Sequence, residues 1–280
     1  MKGALGLTCL AGLAAALAFA EEPASPAPAE SPGIQDNGFL IEESYNQDPG
    51  VVQHISEFTR SFDSGDWVYT FTQEWPVPAV KHQLSYTVPI QRLGGGGATA
   101  GLGDALLNYR YQLKGDGDAR VAIAPRASLI VPTGSTTRSY GSGVLGFQTN
   151  VPLSLVLGPR FVAHWNAGAT LLPSAKGPTG DRATTLSYNL GQSVIWLATS
   201  RFNVMLEAFY TSVETIVGPG RTERADVLLL SPGIRWAYNF ESGLQIVPGV
   251  AAPIGVGPSR GQTSLLLYLS FEHPFRKRHL

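Results

Sequence analysis

The 280-residue chain carries 20 Lys and Arg against 21 Asp and Glu, a near-neutral balance that excludes the basic surface a nucleic-acid partner needs. Charged residues are only 15% of the total, and no stretch after residue 20 approaches eighteen continuous apolar residues, which excludes membrane-spanning helices. The single cysteine, Cys9, falls in the first twenty residues, so a chain cut there offers no thiol for a disulfide, a metal site or a nucleophile.

Residues 1–20 read as a signal peptide: Lys2, an apolar run from Leu5 to Phe19, and an A-x-A cleavage site at Ala18-Phe19-Ala20. Residues 21–36, EEPASPAPAESPGIQD, are too rich in Pro, Ala, Ser and Glu to bury a core and read as a flexible leader. In 37–50, Phe39, Leu40 and Ile41 with Glu42 and Glu43 suggest one or two helical turns ended by Pro49-Gly50. Two readings stay open for this segment. It is an ordered lead-in to the first strand, or a short plug at the barrel mouth with Phe39, Glu42, Glu43 and Tyr45 as its candidate residues.

Twelve alternating segments follow, at about 51–60, 66–75, 80–92, 103–113, 119–132, 144–157, 160–172, 184–198, 201–214, 223–239, 243–255 and 262–275. In Phe161–Thr170, for example, Phe161, Ala163, Trp165, Ala167 and Ala169 share one face, and Val162, His164, Asn166, Gly168 and Thr170 the other. Alternation over ten or more residues exceeds the roughly five or six of soluble strands and suits a tilted membrane crossing. Tight links such as Gly158-Pro159 and Thr199-Ser200 alternate with longer ones at 93–102, 133–143, 173–183, 215–222 and 256–261. Aromatic residues collect near both ends of the segments, as two membrane interfaces favour. Pro89, Pro125, Pro152, Pro232, Pro248 and Pro253 interrupt strands and predict bulges or bent pairing. The last strand, Gln262–Phe275, sets Leu265, Leu267, Leu269, Phe271 and Phe275 against Ser264, Tyr268, Ser270 and Glu272, with Leu266 as the exception.

These features predict an all-β fold: a single antiparallel transmembrane barrel of about twelve strands over 51–275, with short periplasmic turns, longer outer loops and a basic tail at 276–280. Projected alternation turns Arg110, Arg126, His164, Glu207, Arg235, Asn189, Glu74 and Glu272 inward. They are the candidate pore-lining residues, either as a selectivity band or as a ladder of ion pairs filling the interior. No His, Asp and Glu cluster has metal-ligand spacing, and no cofactor is expected. A Ser–His lipid hydrolase would need its pair on the outer face, whereas His164 projects inward and His273 outward without an evident serine.

The runs Asn37–Gln47, Pro49–His54, Gly101–Asp104, Asn108–Tyr111, Pro132–Gly134 and Phe271–Phe275 resemble the outer-membrane barrels associated with the meta-pathway of phenol degradation, often called transporters. The resemblance implies a barrel that passes small solutes, aromatic or anionic. The alternative is a plugged structural or interaction barrel, and a third reading is a lipid-active barrel enzyme. The implied partners are outer-membrane lipid, the barrel-assembly machinery and an unspecified small molecule. The tail after Phe275 departs from the family, whose barrels usually end at the terminal aromatic.

Overall fold

The computed structural model describes residue 34 and residues 36–275 apart from 78 and 95–97. The described residues belong to one unit, Gly33–Leu280. The signal peptide, most of the leader and the basic tail lie outside the described residues.

Twelve staves form the wall. They are β1 Val51–Ser61, β2 Trp67–Pro76, β3 His82–Arg92, β4 Gly101–Leu102 resumed at Ala105–Tyr111, β5 Val121–Ile123 resumed at Arg126–Val131, and β6 Gly146–Gly158. The rest are β7 Phe161–Lys176, β8 Arg182–Thr199, β9 Phe202–Gly218, β10 Arg221–Trp236 resumed at Tyr238–Asn239, β11 Gln245–Ala251 resumed at Ile254–Gly255, and β12 Ser264–Pro274. Each stave pairs antiparallel with the next, and β12 pairs with β1 from Val51↔Pro274 to Ser61↔Ser264, so the sheet closes without an edge. Closure satisfies every ladder within the wall, a requirement for any sheet that crosses lipid.

The alternation survives folding. On β9, Asn203, Met205 and Glu207 are buried while Leu206 between them is 53% exposed; on β12, Leu266, Tyr268 and Ser270 are buried while Leu267 faces out. Leu84, Leu107, Phe147, Val151, Leu190, Val194 and Trp196 extend this outward apolar belt around the barrel.

Two expected outer links differ from the structure. The stretch 173–183 is largely strand, because β7 runs to Lys176 and β8 begins at Arg182. At 215–222, β9 and β10 pair through Thr215↔Glu223 and Ile216↔Thr222, leaving a turn at 219–220. β-branched Thr215, Ile216 and Thr222 keep the ladder going where Gly218, Pro219 and Gly220 suggested a loop. Staves β7 to β10 therefore run 16, 18, 17 and 16 residues, beyond the roughly 9–11 of a membrane crossing. The outer links at 93–100, 132–145 and 256–263 remain longer than the inner turns at 159–160, 200–201 and 240–244, while 62–66, 112–120 and 219–220 break the pattern.

The prolines follow a rule. Pro125 and Pro253 fall in the breaks of β5 and β11, whereas Pro89, Pro152, Pro232 and Pro248 remain in paired strands. Three of the in-strand prolines lie beside a neighbour's break and accept a bond from it: Gly103 N–H to Pro89, Ala124 N–H to Pro152 and Ala252 N–H to Pro232. Pro248 lies where the β10–β11 pairing lapses between Arg235↔Gly249 and Tyr238↔Ile246. A missing donor costs least where the partner strand has already left the ladder.

Replacing Leu206 with Arg, in the middle of the outward belt, is expected to cost about 2–4 kcal/mol, against about 0–1 at Leu113 beside a turn. Urea titration of the two variants folded into lipid vesicles measures the difference.

Candidate functional site

The inner wall is not uniform. Ile55, Ile195, Met205, Val247, Ala251 and Leu266 make one side apolar, and they cluster with Ile34 and Phe39. Leu266, the exception to alternation in the sequence, belongs to this patch. The opposite side carries Glu74, Gln83, Asn108, Arg110, Asn150, His164 and Asn166, all buried.

Residues 34–50 lie across this interior. The segment enters beside Arg235, rises to Glu207 and Asn166, and returns to the tight-turn end, where Gly50 accepts a bond from Phe275 N–H at 2.8 Å. It holds bends and extended chain in place of the expected helical turns. A helix would satisfy its own N–H groups; here the wall satisfies them. The Glu207 carboxylate accepts from Phe39 N–H at 3.1 Å and Leu40 N–H at 3.0 Å. Asn166 accepts from Glu42 N–H and donates to Glu42 O, both at 2.8 Å. Ser154 Oγ accepts from Ser44 N–H at 2.8 Å, Gln112 from Asn46 N–H at 3.0 Å and Gln83 from Gln47 N–H at 2.8 Å.

The arginines serve the segment's carbonyls. Arg235 donates to Ile34 O at 3.0 Å, to Asn37 O at 2.8 Å and to Asp36 O. Arg110 donates to Glu43 O at 3.3 Å, Tyr45 O at 2.5 Å and the Asn46 side chain at 3.1 Å, with Glu74 3.9 Å away. Arg126 grips the Glu42 carboxylate with Nε at 3.1 Å and Nη2 at 2.5 Å. Burial works against the charge on Glu42, but the Arg126 charge and these bonds outweigh it and hold its carboxyl below the ordinary value.

The other expected lining residues also face the lumen. Glu74 accepts from Gln83 at 2.8 Å, Asn189 donates to Asn150 at 3.4 Å, and Glu272 stands opposite Gln53 and Gln245 in the neighbouring strands. His164 is paired with Ser154 at 2.7 Å and meets the Tyr45 ring edge-on at 6.2 Å. Outward-facing His273 stacks on His54, with ring nitrogens 3.2 Å apart.

Sequence reasoning assigned Ile34 and Asp36 to the leader, yet both are buried in the lumen. The Asp36 carboxylate takes bonds from Gln53 on β1 at 2.6 Å, from Tyr268 on β12 at 2.7 Å and from Ser270. Strand glycines were a signal left unread, since a glycine within a strand marks close approach. A Cβ on Gly233 would lie 2.6 Å from the Phe39 ring and one on Gly249 2.5 Å, so these two make the socket for that ring. Gly38 is required likewise, because its Cβ would strike Ile41 O and the Glu207 carboxylate.

Two motifs at the other end are structural. Asp104 accepts from Gly134 N–H at 2.9 Å and from Ser142 N–H and Oγ, each at 2.7 Å. Tyr140 takes Leu93 N–H at 3.3 Å and gives its hydroxyl to Thr99 O at 2.8 Å. Together they pin the 132–145 link over the 93–100 link. Between residues 37–42 and the β1–β5 wall a cavity of about 270 Å³ remains, lined by Glu57, Thr70, Thr72, Thr87, Asn108 and Arg126 among others.

A closed twelve-stave barrel with an apolar exterior and a polar, occupied interior has the architecture of an outer-membrane β-barrel protein. The chain belongs to the family described as "Putative MetA-pathway of phenol degradation", whose model matches residues 29–256. Among solved structures, an outer-membrane channel from Pseudomonas putida F1 superimposes with a TM-score of 0.61 at 13% identity, over 82% of this chain and 97% of that one. The NanC porin gives 0.51 at 10% identity, over 78% and 98%. At these identities the likeness is one of fold. Comparison with curated proteins gave no match.

Substituting Gly249 with Val is expected to expel the Phe39 ring while leaving the wall closed. A cysteine placed at Ser44 in that background would react with an aqueous maleimide many times faster than in the parent. Docking should also respond to pH through Glu43, which lies among Arg235, Asp36, Arg110 and Glu74; burial pushes its carboxyl from 4.5 up to about 8. The docked segment thus holds a proton that the free segment gives up above about 4.5, so docking weakens as pH rises toward 8 and is strongest below 4.5. Maleimide labelling of the Ser44 cysteine from pH 5 to pH 8.5, corrected for thiolate content, should accelerate over that window, and less steeply in Glu43→Gln.

Proposed function

We propose that this barrel is a channel for diffusion of small molecules across the outer membrane, held shut in the present state by residues 34–50. The observation that carries the reading is the coverage of the inner wall. Arg110, Arg126, Glu207 and Arg235, the groups a selectivity band would use, are all spent on the segment's peptide groups and on Glu42. Their roles are therefore twofold: they hold the plug when it is docked, and they line the passage when it is not. Both ends of the segment lie at the periplasmic end, so it can withdraw that way without unthreading a strand.

A permanently plugged structural barrel is the second reading, favoured by the number of ties between segment and wall. An enzyme fits less well. The Ser154–His164 pair faces the lumen and is sealed beneath Ser44 and Tyr45, out of reach of a lipid substrate.

Removal of residues 21–46 should leave a folded barrel, because every wall strand begins after Gly50. Its single-channel conductance in planar bilayers should exceed that of the full chain several-fold. Equal conductance in the two, with both shown folded by heat-modifiable mobility, would favour the structural barrel.

A further inference from the structure

The Arg126–Glu42 pair differs from every other tie between segment and wall. The other ties run to backbone groups or pair a neutral side chain with a neutral or charged one, as Gln53, Tyr268 and Ser270 do with Asp36, whereas this one is a two-point grip of a guanidinium on a side-chain carboxylate. The guanidinium does not depend on Glu42 for its position. Its Nη1 donates to Asn108 Oδ1 at 3.1 Å, to Gln148 Oε1 at 3.2 Å and to Ser128 Oγ, three groups that belong to the wall. With Glu42 withdrawn, Nε and Nη2 would remain aimed at the place the carboxylate had filled. That place opens on the cavity, and the Glu42 side chain keeps 29% of its surface exposed.

We propose that Arg126 is a binding site for a solute carboxylate, and that Glu42 is a built-in occupant which the solute displaces. The inference rests on the channel reading and names the class of solute for it. Bidentate geometry suits a planar carboxylate better than a lone halide. Among the described residues Arg110 and Arg126 are the cations that line the cavity, and with Arg110 already committed a single guanidinium is left for the solute, which makes a monocarboxylate the match. Ile55 and Leu106 offer apolar surface for a compact body, and Thr70, Thr72 and Thr87 offer hydroxyls for a second polar group. The volume sits just under the roughly 300–1,000 Å³ usual for small-molecule pockets. Arg110 cannot take the same part, because its donors are committed to the peptide oxygens of Glu43 and Tyr45. Displacement is an exchange of one carboxylate for another on a single arginine. It removes one tie at Glu42 and leaves those at Glu207 and Asn166 to be broken by thermal motion.

Benzoate is the probe, with benzyl alcohol as the uncharged body of similar size. On the full barrel in detergent micelles, benzoate should speed amide hydrogen exchange of residues 40–46 several-fold, and benzyl alcohol should not. Glu42→Gln removes the internal competitor and leaves the arginine untouched, so calorimetry should find benzoate bound about tenfold more tightly than to the parent. Arg126→Gln should abolish the benzoate effect, and Arg126→Lys should restore it in part. Equal responses to benzoate and benzyl alcohol, or no tightening in Glu42→Gln, would overturn the proposal. These are equilibrium measurements without ion flow. A barrel that binds benzoate as described but fails to conduct after removal of residues 21–46 would refute the channel and leave the carboxylate site standing.

Discussion

A stretch of chain with neither helix nor sheet, placed in a narrow lumen, must still find partners for its peptide groups, since each one buried without a partner costs about 1–3 kcal/mol. Here the barrel supplies them from side chains. Asn166 both accepts from and donates to Glu42, and Gln112 accepts from Asn46 N–H while donating to Ser44 O at 2.7 Å. A side-chain amide is chemically a peptide group, so the amide-lined wall acts toward the segment as a substitute strand edge. The buried amides of the polar side, Gln83, Asn150 and Asn166 among them, follow from this requirement more than from any need of a water-filled pore.

The wall itself was legible because its constraint is periodic. A strand between lipid and lumen must alternate, and the alternation from Val51 to Phe275 located all twelve staves. The links were read less well. Prolines and glycines at 173–183 and 215–222 signal turns locally, but ladder pairing in β7–β10 overrides them until the last residues before each hairpin. The in-strand prolines show the opposite lesson, since each is tolerated through a lapse in the neighbouring strand that no single-strand pattern reveals.

The interior was half legible. Alternation turned Arg110, Arg126, His164, Glu207 and Arg235 inward, but it says nothing about what they meet. The segment that meets them has no period at all: its order comes from the wall, and Phe39–Glu43 read alone as one or two helical turns. Ile34 and Asp36 were hidden inside a composition typical of a linker. Traces of the docking were present as violations of the barrel pattern. Leu266, an apolar residue on the polar face, and Gly233 and Gly249, holes within strands, mark where Phe39 and its neighbours fit.

Asp36 joins the first strand to the last, through Gln53 on one side and Tyr268 with Ser270 on the other. A carboxylate held in this way spans the β1–β12 seam, the pairing that forms between the two most distant parts of the wall. Its binding place therefore does not exist until the sheet has closed, although the residue itself is made before any strand. The piece that must be seated at the end precedes every strand of the wall in the chain. Docking of the segment thereby reports that the circle is complete, and it adds a clasp at the one junction that a nascent barrel makes last.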